Sequence, residues 1–152
     1  MVPKLPLKGS CRCGRVEIRV TKPPIATAAC HCRGCQKMAS SAYSLTAMVP
    51  ADGFEVVKGE PAVGGMHAPE LQHYFCGHCM TWMFTRPAGM DFVNVRPTML
   101  DDTSWFRPFL ETFTSTKLPF AQTGAARSFA EFPAMEEIGG LVADYAAWAA
   151  GD

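Results

Sequence analysis

Apolar and polar residues alternate along most of the first two thirds of the chain, in short runs that end at glycine or proline. Val16-Glu17-Ile18-Arg19-Val20 alternates strictly, the pattern of a strand with one buried face, and Lys22-Pro23-Pro24 breaks it. Ala42 to Val49 predicts a second strand, Pro50-Ala51-Asp52-Gly53 a turn, and Phe54 to Lys58 a third strand closed by Gly59-Glu60-Pro61. Residues 62–70, rich in glycine, alanine and proline, predict a loop. Alternation resumes over Leu71 to Cys76, and Thr81 to Thr85 and Met90 to Val95 predict two further strands around Arg86-Pro87-Ala88-Gly89. Phe109 to Thr114 predicts one more, and Thr116 to Phe132 an irregular segment. Beyond Pro133, residues Met135, Ile138, Val142, Tyr145 and Ala149 recur every three or four positions, the stripe of an amphipathic helix. Gly139-Gly140 opposes that helix by about 1 kcal/mol per glycine relative to alanine. Short strands joined by Gly/Pro turns predict a mainly β, antiparallel fold with a C-terminal helix, not βαβ units. No repeat or linker interrupts the pattern, so residues 1–152 are expected to form a single domain.

Composition narrows the function classes. Lys plus Arg and Asp plus Glu both number 14, which leaves no long-range field to draw a phosphate backbone, so no nucleic-acid partner is expected. No apolar run approaches the roughly 18 residues needed to span a bilayer, and the first residues lack the apolar core of a secretion signal. Seven cysteines in such a chain argue for reduced thiols and a cytoplasmic setting.

Those cysteines carry the candidate chemistry. Cys11 and Cys13 form a C-x-C pair, Cys30, Cys32 and Cys35 a C-x-C-x-x-C triplet, and Cys76 and Cys79 a C-x-x-C pair. These are the spacings of a soft, tetrahedral metal site, with zinc the first candidate. In an extended backbone, residues i and i+2 point the same way, which predicts that Cys11 and Cys13 face one ion and Cys30 and Cys32 another, with His31 turned aside. Gly34 is expected to turn the chain so that Cys35 returns to the same ion. Two closed zinc sites need eight ligands and the chain supplies seven. A closed site from Cys11, Cys13, Cys76 and Cys79 would leave Cys30, Cys32 and Cys35 with an open fourth position, the arrangement of a catalytic zinc. Other pairings of the motifs, one zinc with spare thiols, or a dithiol–disulfide redox pair also fit the spacing.

The motifs Gly9-Ser10-Cys11-Arg12-Cys13-Gly14, Cys30-His31-Cys32-Arg33-Gly34-Cys35-Gln36 and Phe75-Cys76-Gly77-His78-Cys79 resemble the signature of the glutathione-dependent formaldehyde-activating (GFA, or CENP-V/GFA) family, over about Leu7 to Asp102. The resemblance implies a β-tent-type fold and a carbon–sulfur lyase activity like that of S-(hydroxymethyl)glutathione synthase, acting on an adduct of a glutathione-like thiol with an aldehyde. It implies two zinc ions per chain: a structural one on Cys11, Cys13, Cys76 and Cys79, and a catalytic one on Cys30, Cys32 and Cys35. The sequence departs from the family pattern at Met80, where glycine is usual, and at Phe109-Leu110-Glu111-Thr112-Phe113, where similar sequences often carry a histidine. That second departure supports the competing reading, a non-enzymatic zinc-stabilised interaction module that would use the apolar face of the terminal helix.

Other polar residues have simpler explanations. His31, His73 and His78 read as neighbours of ligands, and His67, in the glycine-rich loop, as an occasional ligand or proton carrier. Arg33, Gln36 and Lys37 lie beside the triplet and are candidates to pair with substrate carboxylates, against surface charge as the plainer reading. Asp101 and Asp102 are candidates for a general base or for a turn cap. Trp82, Phe84, Phe92 and Trp105 read as core or pocket wall, and Tyr145 and Trp148 as packing anchors.

Overall fold

The computed structural model describes residues 2–151. Strands β1 (Leu7–Ser10), β2 (Glu17–Val20) and β5 (Phe54–Lys58) make a small antiparallel sheet in the order β1-β2-β5. A second sheet has eight strands: β3 (Ala26–Cys30), β4 (Ser44–Pro50), β6 (Pro61–Gly64), β7 (Leu71–Cys76), β8 (Trp82–Pro87), β9 (Phe92–Val95), β10 (Leu110–Thr112) and β11 (Arg127–Ser128). Its order is β11-β10-β3-β4-β9-β8-β7-β6. Helix α1 (Arg33–Ala39) follows β3, and α2 (Ile138–Ala150) ends the described chain. The fold is mainly β with a C-terminal helix, as the alternation predicts.

The sheets face each other across one core. The inward residues of the small sheet (Leu7, Ile18, Val20 and Phe54) meet Ala47, Val49, Phe84, Val93 and Val95 of the large one. Burying such side chains is the dominant favourable term in a fold of this size. A second cluster lies under α2, where Leu141, Tyr145 and Ala149 cover Ala26, Phe109 and Leu110. The Phe109 ring sits 5.7 Å from Tyr145 and 5.4 Å from Trp148. Of the predicted stripe, Tyr145 and Ala149 turn inward together with Leu141, Met135 is exposed ahead of the helix, and Tyr145 and Trp148 are packing anchors for the chain itself.

Three expectations need correction. Residues 62–70 are not all loop, because Pro61–Gly64 forms the edge strand β6 against β7. Proline is tolerated at a sheet edge, and Gly64 is required there: a Cβ on it would lie 2.6 Å from the Phe75 ring. The large sheet is not wholly antiparallel, since β10 pairs with β3 and with β11 in parallel. And Gly34 makes no special turn. It sits in the first turn of α1, a helix the sequence pattern did not predict.

The β7–β8 pairing contains a bulge. The register runs from Tyr74↔Phe84 to Phe75↔Trp82, so two steps along β8 match one along β7. Neighbouring residues on β7 point to opposite faces, and the bulge sends their partners the same two ways. Phe84 stacks on Tyr74 at 4.7 Å and meets Phe54 in the core. Trp82 joins Phe75 and His73 instead.

Two groups of glycines should answer substitution differently. Gly9 bridges to Leu100, and a Cβ there would overlap the Met99 carbonyl, whereas Gly139 and Gly140 on α2 face open space. Gly9→Ala is expected to destabilise by several kcal/mol or abolish soluble expression. Gly139→Ala and Gly140→Ala should each raise stability by about 0.5–1 kcal/mol in urea unfolding. Equal responses at all three positions would contradict this packing.

Candidate metal centres and the cavity beside them

Each cysteine motif lies where a strand ends. Beyond β1 the chain makes a tight turn, with the Gly14 N–H donating to the Cys11 carbonyl at 2.9 Å and Gly14 at φ +73°. This turn, not an extended strand, brings Cys11 and Cys13 together, 3.5 Å between sulfurs. Beyond β7 a matching turn places Cys76 and Cys79, closed by the Met80 N–H on the Cys76 carbonyl at 3.0 Å. Cys13 and Cys76 approach to 3.7 Å, so the four sulfurs of Cys11, Cys13, Cys76 and Cys79 all lie within 4.8 Å of one another. Met80 holds φ +55°, a left-handed conformation that favours glycine, and its side chain is exposed. The turn geometry explains why glycine suits this position.

The triplet forms a second cluster. Cys30 ends β3, and Cys32, extended at φ −60° and ψ 152°, caps α1 by accepting the Cys35 N–H on its sulfur at 3.3 Å. Helical rise then carries Cys35 back over the cap. The sulfurs of Cys30, Cys32 and Cys35 lie within 4.8 Å of one another, all half-buried. Among the described residues, no histidine or carboxylate joins either cluster.

The electrostatics of the triplet are asymmetric. The Cys35 thiol donates to Cys30 and pulls the Cys30 pKa down to about 5, against burial. Cys35 is pushed well up by the same hydrogen bond and by its own burial. In the other cluster Cys79 is lowered to about 5, chiefly by the Thr81 hydroxyl, 3.1 Å from its sulfur. Grouped thiols suit a thiolate-preferring metal ion, whose binding removes their protons, so the donor sets fit such a group in both places. Ser44 stands opposite Cys30 in the β3–β4 register. Its buried hydroxyl is close enough to favour the Cys35 thiolate, yet it lies outside hydrogen-bonding geometry.

His31, between two of these cysteines, is fully buried and turned from them. Its Nε2 lies 2.9 Å from a carboxylate oxygen of Glu111 and so donates to it. Glu111 also accepts from Lys117, Thr123 and Ser128. Burial raises its pKa, but the hydroxyls of Thr123 and Ser128, with His31 and Lys117, outweigh that and hold it at about 2. Glu111 thus anchors the loop that carries the triplet. No sequence motif marked it.

A cavity of about 410 Å³ opens between α1, β4, β8 and the end of β9, with Ser44, Tyr43, Trp82 and Arg96 among its walls. Arg96 is buried, its guanidinium 4.2 Å from the Trp82 ring centre and its Nη2 donating to the Asn94 carbonyl at 3.3 Å. Burial pulls its pKa down to about 10, opposed by Cys35 and Cys30. His73, behind Trp82, is lowered by burial and then by Arg96, and its Nδ1 lies 2.9 Å from the Thr85 hydroxyl. The sequence offered no signal for Arg96 beyond a single charge after an apolar strand.

The residues singled out nearer the triplet behave differently. Gln36 is buried and donates to the carbonyls of His31 and Thr116, while Arg33 donates to Gln36. Lys37 is exposed. The carboxylate of Asp102 caps a turn through the Ser104 N–H and hydroxyl, and Asp101 lies on a separate surface beside Lys8 and Arg19. His67 is exposed at φ +53° in the loop beyond β6, and His78 is exposed in its turn.

Two cysteine clusters, each able to hold a metal ion, set in two packed β-sheets, define the class of protein. The profile of the glutathione-dependent formaldehyde-activating enzyme (GFA) family matches residues 6–116, and the chain belongs to that family. Relatives bearing the family name include one from Penicillium rubens, 27% identical over 117 residues, covering 72% of this chain and 60% of that protein. One from Halomonas elongata is 33% identical over 88 residues, covering 51% and 55%. The chain thus spans about half the length of the curated relatives it matches. A crystal structure of a Rhodobacter sphaeroides protein shares the fold, with a TM-score of 0.52 and 22% identity over 62% of this chain and 87% of that one. Among the described residues, no helix is long and apolar enough to cross a membrane.

The Glu111 network has a measurable signature. Glu111→Gln is expected to destabilise the chain by about 2–4 kcal/mol in urea unfolding at pH 7, by removing a buried charge from four donors. Because the folded pKa of about 2 lies below the ordinary 4.5, this contribution is complete above about pH 4.5 and fades as pH falls toward 2. The gap between parent and variant should close over that window. A gap independent of pH would remove the charge from the account.

Proposed function

We propose that residues 1–152 form a single zinc-binding domain of the β-tent type that acts in the cytoplasm as a carbon–sulfur lyase on a thiol–aldehyde adduct. A glutathione-like thiol and an aldehyde such as formaldehyde are its reactants. Cys11, Cys13, Cys76 and Cys79 would hold a structural zinc, and Cys30, Cys32 and Cys35 a catalytic one. One observation carries the reading: a four-sulfur knot stands apart from a three-sulfur group that adjoins a cavity, and three ligands leave one position for an exogenous sulfur.

The reaction balances without an oxidant. The thiol sulfur bonds to the carbonyl carbon, the C=O bond becomes C–OH, and the thiol proton ends on that oxygen; lysis is the reverse. A zinc at the triplet supplies a soft Lewis acid that favours the thiolate form of the incoming thiol. The rest falls to the chain. Cys32 and Cys35, fixed by the first turn of α1, and Cys30, fixed by the β3–β10 pairing, set where that thiol enters. Tyr43, Leu45 and Trp82 form an apolar wall on one side of the cavity.

Metal counting on the parent, Cys32→Ser and Cys79→Ser tests the partition, together with formation of S-(hydroxymethyl)glutathione from glutathione and formaldehyde, followed by exchange NMR. The parent should carry about two zinc ions per chain. Cys32→Ser should lose one, stay folded and fall to the uncatalysed rate, and Cys79→Ser should unfold. One zinc in the parent, kept by Cys32→Ser, would sink the reading. So would full activity in Cys32→Ser.

A further inference from the structure

We propose that Arg96, in the wall of the cavity beside the cysteine triplet, receives a carboxylate of the thiol substrate and sets the preference for it. The inference rests on the lyase reading above and names a specificity-determining residue.

Arg96 is an unusual wall residue. It is 7% exposed, and among the described residues no carboxylate forms an ion pair with it. Its Nη2 has one carbonyl acceptor, and its Nε, buried, has no hydrogen-bond partner at all. A buried guanidinium left this way is costly unless an anion completes it. Among the described residues, the cavity walls carry no acidic residue and no other cation, so Arg96 supplies their one formal charge.

The geometry fixes what kind of anion suits it. The guanidinium lies over the face of Trp82 at 4.2 Å, which holds its plane, and the Arg96 N–H on the Met83 carbonyl at 2.9 Å holds its backbone. A planar fork held in this way matches the two oxygens of a carboxylate. No cysteine lines this space, but the triplet adjoins it through Ser44, which lines the cavity and pairs with Cys30 in the sheet. A ligand that spans from the triplet to Arg96 must carry a thiol and an anion. Arg33, Gln36 and Lys37 are poorly placed for this role: two are bonded to each other and the third is exposed.

Isothermal titration of the zinc-loaded full chain with 3-mercaptopropionate and with 1-propanethiol, matched in length, tests the proposal. The parent should bind the thiol acid at least about tenfold more tightly. Arg96→Gln should bring the two to parity by weakening only the acid, and Arg96→Lys should keep part of the preference. In the parent, propionate should compete with 3-mercaptopropionate and leave 1-propanethiol unaffected, a readout that stands even where a variant fails to fold. Equal binding of both thiols by the parent would overturn the carboxylate role and leave the lyase reading intact. So would equal weakening of both in Arg96→Gln, which would make Arg96 a counter-charge to the cysteines alone. Failure of both thiols to bind the parent would overturn both readings.

Discussion

The carboxylate of Glu111 is a charge inside the molecule, and a buried charge has to be surrounded by donors. Here those donors come from far apart in sequence: His31 from the cysteine loop, Lys117 and Thr123 from the irregular segment, Ser128 from β11. Satisfying one side chain thus requires β10 to lie beside β3 and the following twenty or so residues to fold back over it. Gln36 and Thr116 reinforce the same junction through the His31 carbonyl. The position of the triplet follows from this arrangement, since Cys30 and Cys32 flank the histidine that the carboxylate holds.

The two cysteine clusters differ in what surrounds them. In the four-sulfur cluster, Cys11 and Cys76 are buried and the turns that carry them come from different sheets, so closing the cluster ties the sheets together. In the triplet no sulfur is fully buried, all three come from one short stretch, and the neighbouring surface is concave. The first arrangement spans two layers of the fold. The second lies at the end of one inner strand of one layer and leaves room beside it.

Much of the fold was legible because most strands bury one face. Glu17–Val20, Phe54–Lys58 and Leu71–Cys76 lie where alternation put them. The misses have physical causes. Edge strand β6 is short, exposed and held by pairing, not by an apolar face, so nothing in Pro61–Gly64 announced it. Helix α1 has seven residues and is capped by a cysteine sulfur, a cap that standard helix signals do not include. The grouping of the cysteines was readable from spacing, although for Cys11 and Cys13 the local geometry is a turn. Arg96 and Glu111 were out of reach. Each matters through partners distant in the chain, such as His31 for Glu111 and Trp82 for Arg96, and a single charge in a sequence does not say whether it will be buried.

The bulge between β7 and β8 has a consequence for how such a protein can change. On a regular strand, the side that forms the interior and the side that forms a pocket are set by the same alternation, and neither can be altered alone. The extra residue uncouples them: Phe84 stays with the core while Trp82 is free to serve the cavity, and Arg96 rests on it. Length, more than residue identity, is the constrained quantity at Met83. Losing one residue there would exchange inside for outside along half a strand, whereas replacing Trp82 would keep that register and change the cavity wall and the seat of Arg96.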